Sequence, residues 1–253
     1  MPRKPRIEIA GGLYHVIARG NNRRKIFRSH EDYLRFTSIL AQQKLKLPFY
    51  LYAYCLMPNH VHLLIEMQDD AISRIMQRVL TSYSQYHNRK YKKIGHLFQG
   101  RYKSILCQTD RYLGELVRYN HLNPVRARMV KRPEDYEYSG HRAYLGLDKT
   151  GLVDAEPVLR HFGASRKRAV EAYIQFVESS LGEKSQDDYY RATEGRLLVA
   201  LLRPVRKQRA QRPQLLRPTF GQSGDARRHV RPPNNRHNDC NAPARDPLPR
   251  CRC

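Results

Sequence analysis

Two histidines separated by a single apolar residue are the sharpest chemical feature of the sequence. His60 and His62 lie in the segment MPNHVHLLIE, residues 57–66. Because side chains two residues apart in a strand point to the same face, the two imidazoles are predicted to lie side by side. Neutral imidazoles in this arrangement are good ligands for a first-row divalent metal. An HxH pair alone is more typical of half-exposed histidines on a sheet surface, so the metal-site interpretation depends on further residues.

A tyrosine and an asparagine four residues apart could supply a nucleophile and a third ligand. Tyr119 and Asn123 lie in YNHLNPV, residues 119–125, and share one face if the segment is helical. A tyrosine hydroxyl can attack a phosphodiester and form a covalent phosphotyrosine, with a metal to polarise the phosphate. The amide oxygen of Asn123 is a candidate metal ligand. Taken alone, Tyr119 is more readily a buried aromatic, since the chain has 17 tyrosines.

The charge balance indicates a polyanionic partner. The chain carries a formal net charge of +24 over 253 residues. Binding to phosphates releases condensed counterions, so this charge favours nucleic acid over small metabolites. Aromatic residues between the cations suit stacking on unpaired bases, although a solvated basic surface with core tyrosines has the same composition. The candidate DNA contacts are Arg19, Arg23, Arg24, Lys92, Lys93, Arg101, Lys103, Arg118 and Arg126.

The elements that must position these residues follow from hydrophobic periodicity and turn signals. Strands are predicted at 13–19, 49–56, 60–67 and 96–106, and helices at about 30–46, 71–90 and 110–122. This order is typical of an α+β fold in which helices pack on one face of an antiparallel sheet. The histidines would then lie on the open face. Asn123 precedes a proline and is expected outside helical geometry, which ends the last helix at 122.

Beyond the sheet the sequence changes character twice, which divides the chain at 148 and 202. Residues 1–148 are predicted to form the main domain, and residues 149–202 a helical extension centred on 165–181. Residues 203–253 are rich in Arg and Pro and lack apolar periodicity, so they are predicted to be disordered. Three interpretations of this tail stay open: a basic arm that holds nucleic acid, a solvated tail without a role, or the product of a shifted reading frame. The last two are favoured together.

The cysteines and the N-terminus indicate the compartment. The five cysteines form no CxxC pair, which argues against a zinc ribbon and for a reducing environment. The first nine residues are basic and lack the apolar stretch of a signal peptide. No apolar run approaches the roughly 20 residues of a membrane span. We therefore expect a cytoplasmic protein with no membrane partner.

Three segments, in this order, resemble one family of proteins: MPNHVHLLIE, GHLFQGRYKSIL and VRYNHLNPVRARMV. They look like the REP-associated tyrosine transposases, relatives of the single-tyrosine insertion-sequence transposases within the HUH endonuclease group. The resemblance covers about residues 5–145 and identifies the 1–148 region as a transposase domain; the chain to about 182 is similar to longer members. It implies a ferredoxin-like or RRM-like fold, which agrees with the predicted order of elements.

The resemblance also implies a role for each candidate residue. His60 and His62 match the pair that binds a divalent metal, usually Mg²⁺ or Mn²⁺. Tyr119 matches the nucleophile, and Asn123 matches the polar position that completes the metal site. The implied enzyme cleaves and rejoins single-stranded DNA, often beside a hairpin, through a 5′-phosphotyrosine link and a free 3′-hydroxyl. We expect the DNA to lie across the open sheet face of a monomer or homodimer that associates with the nucleoid.

Three other functions agree with parts of the sequence. A domesticated protein that binds hairpin DNA without cutting it would have the same charge and fold. A metal-dependent nuclease with water as the nucleophile would cleave DNA without a covalent adduct. An RNA-binding module on an RRM-like sheet would need exposed aromatics on the central strands, where this chain has His60 and His62. The HxH pair and the tyrosine together favour the transposase.

Overall fold

The computed structural model of the chain describes residues 8–107 and 109–181, with the backbone alone over 109–112. The predicted Arg- and Pro-rich tail at 203–253 and the end of the predicted helical extension, 182–202, lie outside these residues. The domain boundaries at 148 and 202 therefore stay predictions.

One antiparallel sheet organises the described residues. Its strands are β1 (Leu13–Arg19), β2 (Phe49–Met57), β3 (His60–Met67) and β4 (Lys103–Cys107), in the order β2-β3-β1-β4. The helices α1 (His30–Lys46) and α2 (Ile72–Lys90) connect β1 to β2 and β3 to β4. This connectivity is that of the ferredoxin-like fold, so the predicted fold class is confirmed.

One face of the sheet packs against α1 and α2, as the alternation of the strands predicts. Val16, Leu63 and Ile65 are fully buried on this face. Phe36 of α1 and Val79 of α2 belong to the same apolar core. The histidines at positions 60 and 62 alternate with these residues, so the strand period directs them to the other face.

The buried carboxylate of Asp32 joins the start of α1 to the end of α2. Its Oδ2 accepts two backbone N–H groups of the preceding turn, at 2.7 and 3.1 Å, and the Tyr91 hydroxyl at 2.6 Å. Its Oδ1 accepts the Tyr86 hydroxyl at 3.0 Å and the Lys90 ammonium at 2.9 Å. Burial by itself would raise the pKa of Asp32, but these hydrogen bonds, that of Lys90 foremost, hold it well below its ordinary value. The carboxylate is therefore ionised at neutral pH.

The opposite face is covered as well, so the expectation of an open sheet face is wrong. Four helices share the core on this side: α3 (Thr109–Arg126), α4 (His141–Tyr144), α5 (Glu156–Leu159) and α6 (Arg166–Glu178). Leu13 and Leu64 of the sheet are buried there together with Leu116 and Val117 of α3. The reason is that this face carries apolar side chains beside its histidines, and they need a second layer.

The helix α3 continues past its predicted end at 122, through Pro124, to Arg126. A proline has no N–H, so the carbonyl four residues earlier, that of Asn120, lacks its usual helical partner. The side-chain amide of Asn123 donates to this carbonyl at 3.2 Å and to the carbonyl of Tyr119 at 3.0 Å. This side chain replaces the missing backbone hydrogen bond, which explains why the helix is not broken.

The predicted fourth strand, 96–106, is shorter in the structure. Only Lys103–Cys107 pairs along β1, and Phe98 makes a single bridge to Gly20. Gly95 and Gly100 have φ values of +93° and +72°, a left-handed backbone that glycine adopts without steric cost and that turns the chain out of the sheet. The segment 95–101 is therefore a loop beside the end of β1.

Two observations on the described residues concern the expected cytoplasmic location. Cys55 and Cys107 are free thiols. Among the helices of the described ranges, none combines the length and the apolarity that crossing a membrane requires. The cytoplasmic location stays a prediction.

Candidate active site

The HxH pair lies at the start of β3, directly after the turn that joins it to β2. In the register of the sheet, His60 is opposite Arg19 and His62 is opposite Ile17 of β1. The two imidazole rings lie 4.8 Å apart between centroids. His60 is half-buried, whereas His62 is only 5% exposed. The predicted side-by-side arrangement is present, where β1 ends and β3 begins.

The helix α3 brings the predicted nucleophile to the same place. The ring of Tyr119 lies 6.1 Å from that of His62 and 5.9 Å from that of His15, edge-on to both. Tyr119 is partly exposed. The fold thus joins two segments that are far apart in the chain into one group of a tyrosine and histidines.

His15 on β1 belongs to this group and was missed by the sequence reasoning. Its Nε2 lies 3.2 Å from Nδ1 of His62, and the two rings are stacked at 5.4 Å. His15 is 2% exposed. The alternation of β1 puts His15 on the same face as Leu13, but the strand pairing that brings it to His62 is a tertiary contact. The alternation of side chains along β1 was the one sequence signal that could have pointed to His15.

Asn59, the residue before the pair, orients His60. Its Oδ1 lies 2.6 Å from Nδ1 of His60, and its Nδ2 donates to the backbone carbonyl of Arg23 at 3.2 Å. The carbonyl contact places the amide oxygen, rather than the amide nitrogen, against the imidazole. Since an amide oxygen only accepts, Nδ1 of His60 must carry the proton. The Nε2 lone pair of neutral His60 is then free for a ligand.

All three imidazoles are neutral at pH 7. Burial lowers the pKa of His15 to about 4. Burial, followed by the positive charge of Arg19, lowers the pKa of His60 to about 4. Burial, with His15 and His60 as smaller causes, lowers the pKa of His62 well below its ordinary value. Neutral imidazole is the form that binds a metal, so the site keeps its two histidines in the binding form.

One proton lies between His15 and His62, and its position decides what His62 can bind. If His62 donates from Nδ1, its Nε2 lone pair is free; if His15 donates, Nε2 of His62 carries the other proton and cannot bind a metal. Histidine ligands of metals usually donate their second N–H to a neighbouring acceptor. A metal at this site therefore requires Nε2 of His15 to be the acceptor.

The remaining ligands of a metal would have to be mostly oxygens from outside the histidine pair. Within the described ranges, no group of three or more His, Cys, Asp or Glu side chains is placed to hold a metal ion. The amide nitrogen of Asn123 is turned towards its own helix, where it donates to two carbonyls. The role of the Asn123 oxygen as a third ligand stays a prediction.

Arg126 contacts the predicted nucleophile directly. Its guanidinium carbon lies 5.1 Å from the centroid of the Tyr119 ring, within cation–π range. Arg126 lies about two helical turns from Tyr119, on the same side of the helix, only because α3 runs through Pro124. The unbroken helix therefore places a cation on the ring that is predicted to do the chemistry.

Arg118, another predicted DNA contact, is held by α6. Its guanidinium donates to the Phe176 carbonyl at 3.2 Å, lies over the Phe176 ring at 4.2 Å and pairs with Glu115. The two contacts with Phe176 join α3 to α6, which gives Arg118 a structural role. Its contact with DNA stays a prediction.

The other predicted DNA contacts are exposed in two groups. The first, Arg19, Arg23 and Arg24, lies at the end of β1 beside His60. The second extends from the end of α2 to the first residue of β4 and consists of Lys92, Lys93, Arg101 and Lys103. Arg23 and Lys92 have φ values of 59° and 49°. Non-glycine residues seldom adopt this backbone, and where they do the strain often accompanies function.

Known proteins are similar to the part of the chain that contains this site. Residues 9–121 match the sequence model of the IS200-like transposases. The matched range contains the three histidines and Tyr119 and ends before Asn123. A protein of Haemophilus influenzae described as a REP-associated tyrosine transposase is 28% identical over 146 residues, which are 52% of this chain and 81% of that protein.

Two solved structures are similar to part of the chain. One is described as a REP-associated tyrosine transposase bound to a REP hairpin; it has a TM-score of 0.49 at 20% identity and covers 61% of this chain and 90% of its own. The other is described as a transposase from Deinococcus radiodurans; it has a TM-score of 0.34 at 17% identity and covers 47% of this chain and 93% of its own.

Proposed function

We propose that the chain, whose residues 9–121 match the sequence model of the IS200-like transposases, cleaves and rejoins single-stranded DNA, with Tyr119 as the nucleophile and a divalent metal on His60 and His62. The observation that carries the proposal is the position of Tyr119 beside the HxH pair: its ring lies 6.1 Å from that of His62 between centroids. A lone tyrosine on a helix would have no such neighbours.

The donor set fits Mg²⁺ or Mn²⁺. His60 and His62 would supply two neutral imidazole nitrogens, and oxygens of the phosphate, of water and of Asn123 would fill the other positions. Mn²⁺ accepts this mixture of nitrogen and oxygen more readily than Mg²⁺, which prefers oxygen. A bound divalent ion supplies positive charge that polarises the phosphate and stabilises the leaving oxygen.

In the proposed reaction Tyr119 is the residue of the protein that forms a bond to the DNA. Its hydroxyl loses a proton to solvent, the phenolate oxygen attacks phosphorus, and a 5′-phosphotyrosine bond forms while the bond from phosphorus to the 3′-oxygen breaks. That oxygen takes up a proton and becomes a free 3′-hydroxyl. The guanidinium of Arg126 holds the ring and stabilises negative charge near it. Attack by a 3′-hydroxyl reverses the step, so rejoining needs no energy source.

The DNA would approach over the end of the sheet rather than across its face. The face that carries the histidines is covered by α3, and His62 is buried, so a strand cannot lie flat on it. His60 is half-exposed, and Arg19, Arg23 and Arg24 are exposed beside it. These cations are suited to hold phosphates on either side of the cleaved bond.

The proposal is tested with hairpin DNA that carries single-stranded flanks and a label at one end. The full chain is mixed with Mn²⁺ and DNA, and a denaturing gel is searched for a protease-sensitive adduct. A 5′-phosphotyrosine keeps the downstream fragment on the protein, so 3′-labelled DNA should shift and 5′-labelled DNA should not. Cleavage without an adduct would support water as the nucleophile, and binding alone would support a hairpin-binding protein that does not cut.

Replacing Asn59 with alanine should weaken Mn²⁺ binding by about tenfold or more, the usual effect of removing the partner that orients a histidine ligand. The alanine cannot accept the Nδ1 proton of His60, so His60 can adopt the tautomer with Nε2 protonated. Electron paramagnetic resonance of free Mn²⁺ gives the affinity, and long-range ¹⁵N spectra of the metal-free protein give the tautomer directly.

The matched control is Asn59→Asp, whose carboxylate still accepts the Nδ1 proton of His60. This variant should keep both the tautomer and most of the affinity. An alanine variant that binds Mn²⁺ as well as the unmodified protein would contradict the role of Asn59, provided that the unmodified protein binds the ion.

A further inference from the structure

A cavity of about 600 Å³ lies on the side of the sheet that packs against α1, away from Tyr119, and takes no part in the chemistry proposed above. Its volume is within the range of small-molecule sites. One wall is the outer side of α1, and the other is formed by residues of the segment 137–152. Tyr54 of β2, which belongs to the core under α1, lines the cavity as well.

Hydrogen bonds hold the two walls in place. The Gly140 N–H donates to the Tyr54 carbonyl at 2.9 Å, which fixes the segment 137–152 to β2. The Lys44 ammonium donates to the Leu152 carbonyl at 2.9 Å, which fixes the same segment to α1. The cavity is therefore formed before a ligand arrives, and binding does not have to order it.

Apolar side chains contribute to both walls. Leu34 on α1 and Leu147 on the opposite wall are 54% and 58% exposed. Ala41 and Leu152 line the cavity as well. Apolar surface in contact with water gains free energy when an apolar group covers it. The cavity therefore suits a ligand that has an apolar body.

The charges of the lining do not suit nucleic acid. Two cations, Arg142 and Lys149, are balanced by two carboxylates, Glu137 and Asp148, in a chain whose net charge is +24. Among the described residues that line the cavity there is no Asn or Gln, the side chains that most often pair with adenine. A small ligand therefore fits this cavity better than a polyanion or a base.

The polar groups that are free in the cavity can all donate a hydrogen bond. Within the described part of the chain, the Arg142 guanidinium and the hydroxyls of Ser38 and Tyr54 have no hydrogen-bond partner and no ion pair in the protein. Asp148, in contrast, already accepts the Thr150 N–H at 2.8 Å. A ligand that satisfies these donors must carry acceptors, and a guanidinium pairs best with a carboxylate, through two parallel hydrogen bonds.

Tyr54 is the most buried of these three donors, at 5% exposed. Buried hydroxyls nearly always have a hydrogen-bond partner, so a free one in a cavity wall indicates a group that can bind there. Burial, followed by the negative charge of Asp148, raises the pKa of Tyr54 above its ordinary value. The hydroxyl therefore keeps its proton and can donate it to an acceptor.

We propose that this cavity binds a small organic acid that joins one carboxylate to an apolar body. The carboxylate pairs with the Arg142 guanidinium and accepts a hydrogen bond from Tyr54, and the apolar body lies against Leu34 and Leu147. The site is independent of the proposed function, because it lies on the other side of the sheet from Tyr119 and does not hold DNA.

The test is isothermal titration calorimetry of the full chain with two probe acids, 3-phenylpropionate and octanoate. The neutral amide of the first acid lacks the charge, acetate lacks the apolar body, and inorganic phosphate tests for a general anion site. Arg142→Gln removes the cation, and Tyr54→Phe removes only a hydroxyl. Arg160→Gln is the matched control, because Arg160 is exposed and lies outside the cavity. Thermal melting of each protein without ligand shows whether it folds normally.

We expect at least one of the two acids to bind at a single site, and acetate, the amide and phosphate to bind about tenfold more weakly or less. Arg142→Gln should weaken binding of the acid about tenfold, the usual effect of losing a charge-assisted pair, and Tyr54→Phe about fivefold. Arg160→Gln should leave the affinity unchanged.

Three results would overturn the proposal: neither acid binds better than acetate, the amide or phosphate binds as well as the acids, or Arg142→Gln binds the acid as the unmodified protein does. If Arg142→Gln melts at a lower temperature than the unmodified protein, Tyr54→Phe decides in its place, and an unchanged affinity in that variant overturns the proposal. The covalent adduct with DNA is measured separately, so none of these results affects the cleavage function.

Discussion

Tyr119→Phe should abolish the covalent protein–DNA adduct and leave DNA binding within about twofold. Phenylalanine keeps the ring that touches His15 and His62 and that lies 5.1 Å from the Arg126 guanidinium. It removes only the oxygen that would bond to phosphorus. Loss of a catalytic nucleophile typically costs on the order of 10³-fold or more in rate, so the adduct should fall below detection.

The denaturing gel with 3′-labelled hairpin DNA and Mn²⁺ measures the adduct, and a gel shift under native conditions measures binding. Tyr52→Phe is the matched control. Tyr52 is buried beside the same sheet face, and its hydroxyl donates to Glu66 at 3.0 Å rather than entering the site. The control should form the adduct normally. An adduct that persists in Tyr119→Phe would assign the nucleophile to another residue, and equal cleavage without adduct in both proteins would assign it to water.

Asp32→Ala should lower the free energy of unfolding by about 3 kcal/mol, the low end of what breaking a buried ion pair costs. The substitution removes the acceptor of five hydrogen bonds at once and leaves the Tyr86 and Tyr91 hydroxyls and two backbone N–H groups to find water. It also separates the start of α1 from the end of α2. Urea unfolding followed by circular dichroism measures the change.

Glu31→Ala is the matched control for this prediction. Glu31 pairs with the same Lys90 ammonium at 2.8 Å, but its side chain is 76% exposed. Exposed ion pairs contribute little to stability, so this variant should unfold nearly as the unmodified protein does. Equal losses in the two variants would show that the charge on Lys90, rather than the buried hydrogen bonds of Asp32, is what matters.

Acid should remove the contribution of Asp32 in a predictable window. Hydrogen bonds from Lys90, Tyr91 and the backbone outweigh the effect of burial, so the pKa of Asp32 is lower in the folded than in the unfolded chain. A depressed carboxyl pKa stabilises the fold fully above the unfolded value of about 3.9 and progressively less as the pH falls through the folded value. The difference in stability between unmodified protein and Asp32→Ala should therefore be constant near neutral pH and shrink below about pH 4.

The sequence by itself determined the local elements and the side on which their residues lie. A period of two placed His60 and His62 on one strand face, and the separation of four residues placed Tyr119 and Asn123 on one helix face. These are properties of neighbours along the chain, and short-range geometry decides them. The family-like segments added the roles of these residues, and residues 9–121 match the sequence model of the IS200-like transposases.

Only the tertiary structure decided which other elements pack against these faces. A strand period identifies a face, but it does not say which layer covers it, so the histidine face was expected to be open and is instead packed under α3. The contact of His15 with His62 depends on the pairing of β1 with β3, which joins positions 47 residues apart. The preference of the residue before a proline for non-helical geometry predicted that α3 ends at 122. In the structure the helix continues, because the side chain of Asn123 donates to the carbonyl that Pro124 leaves without a backbone partner. Contacts between distant segments are chosen by packing and hydrogen bonding in three dimensions, and local patterns carry little information about them.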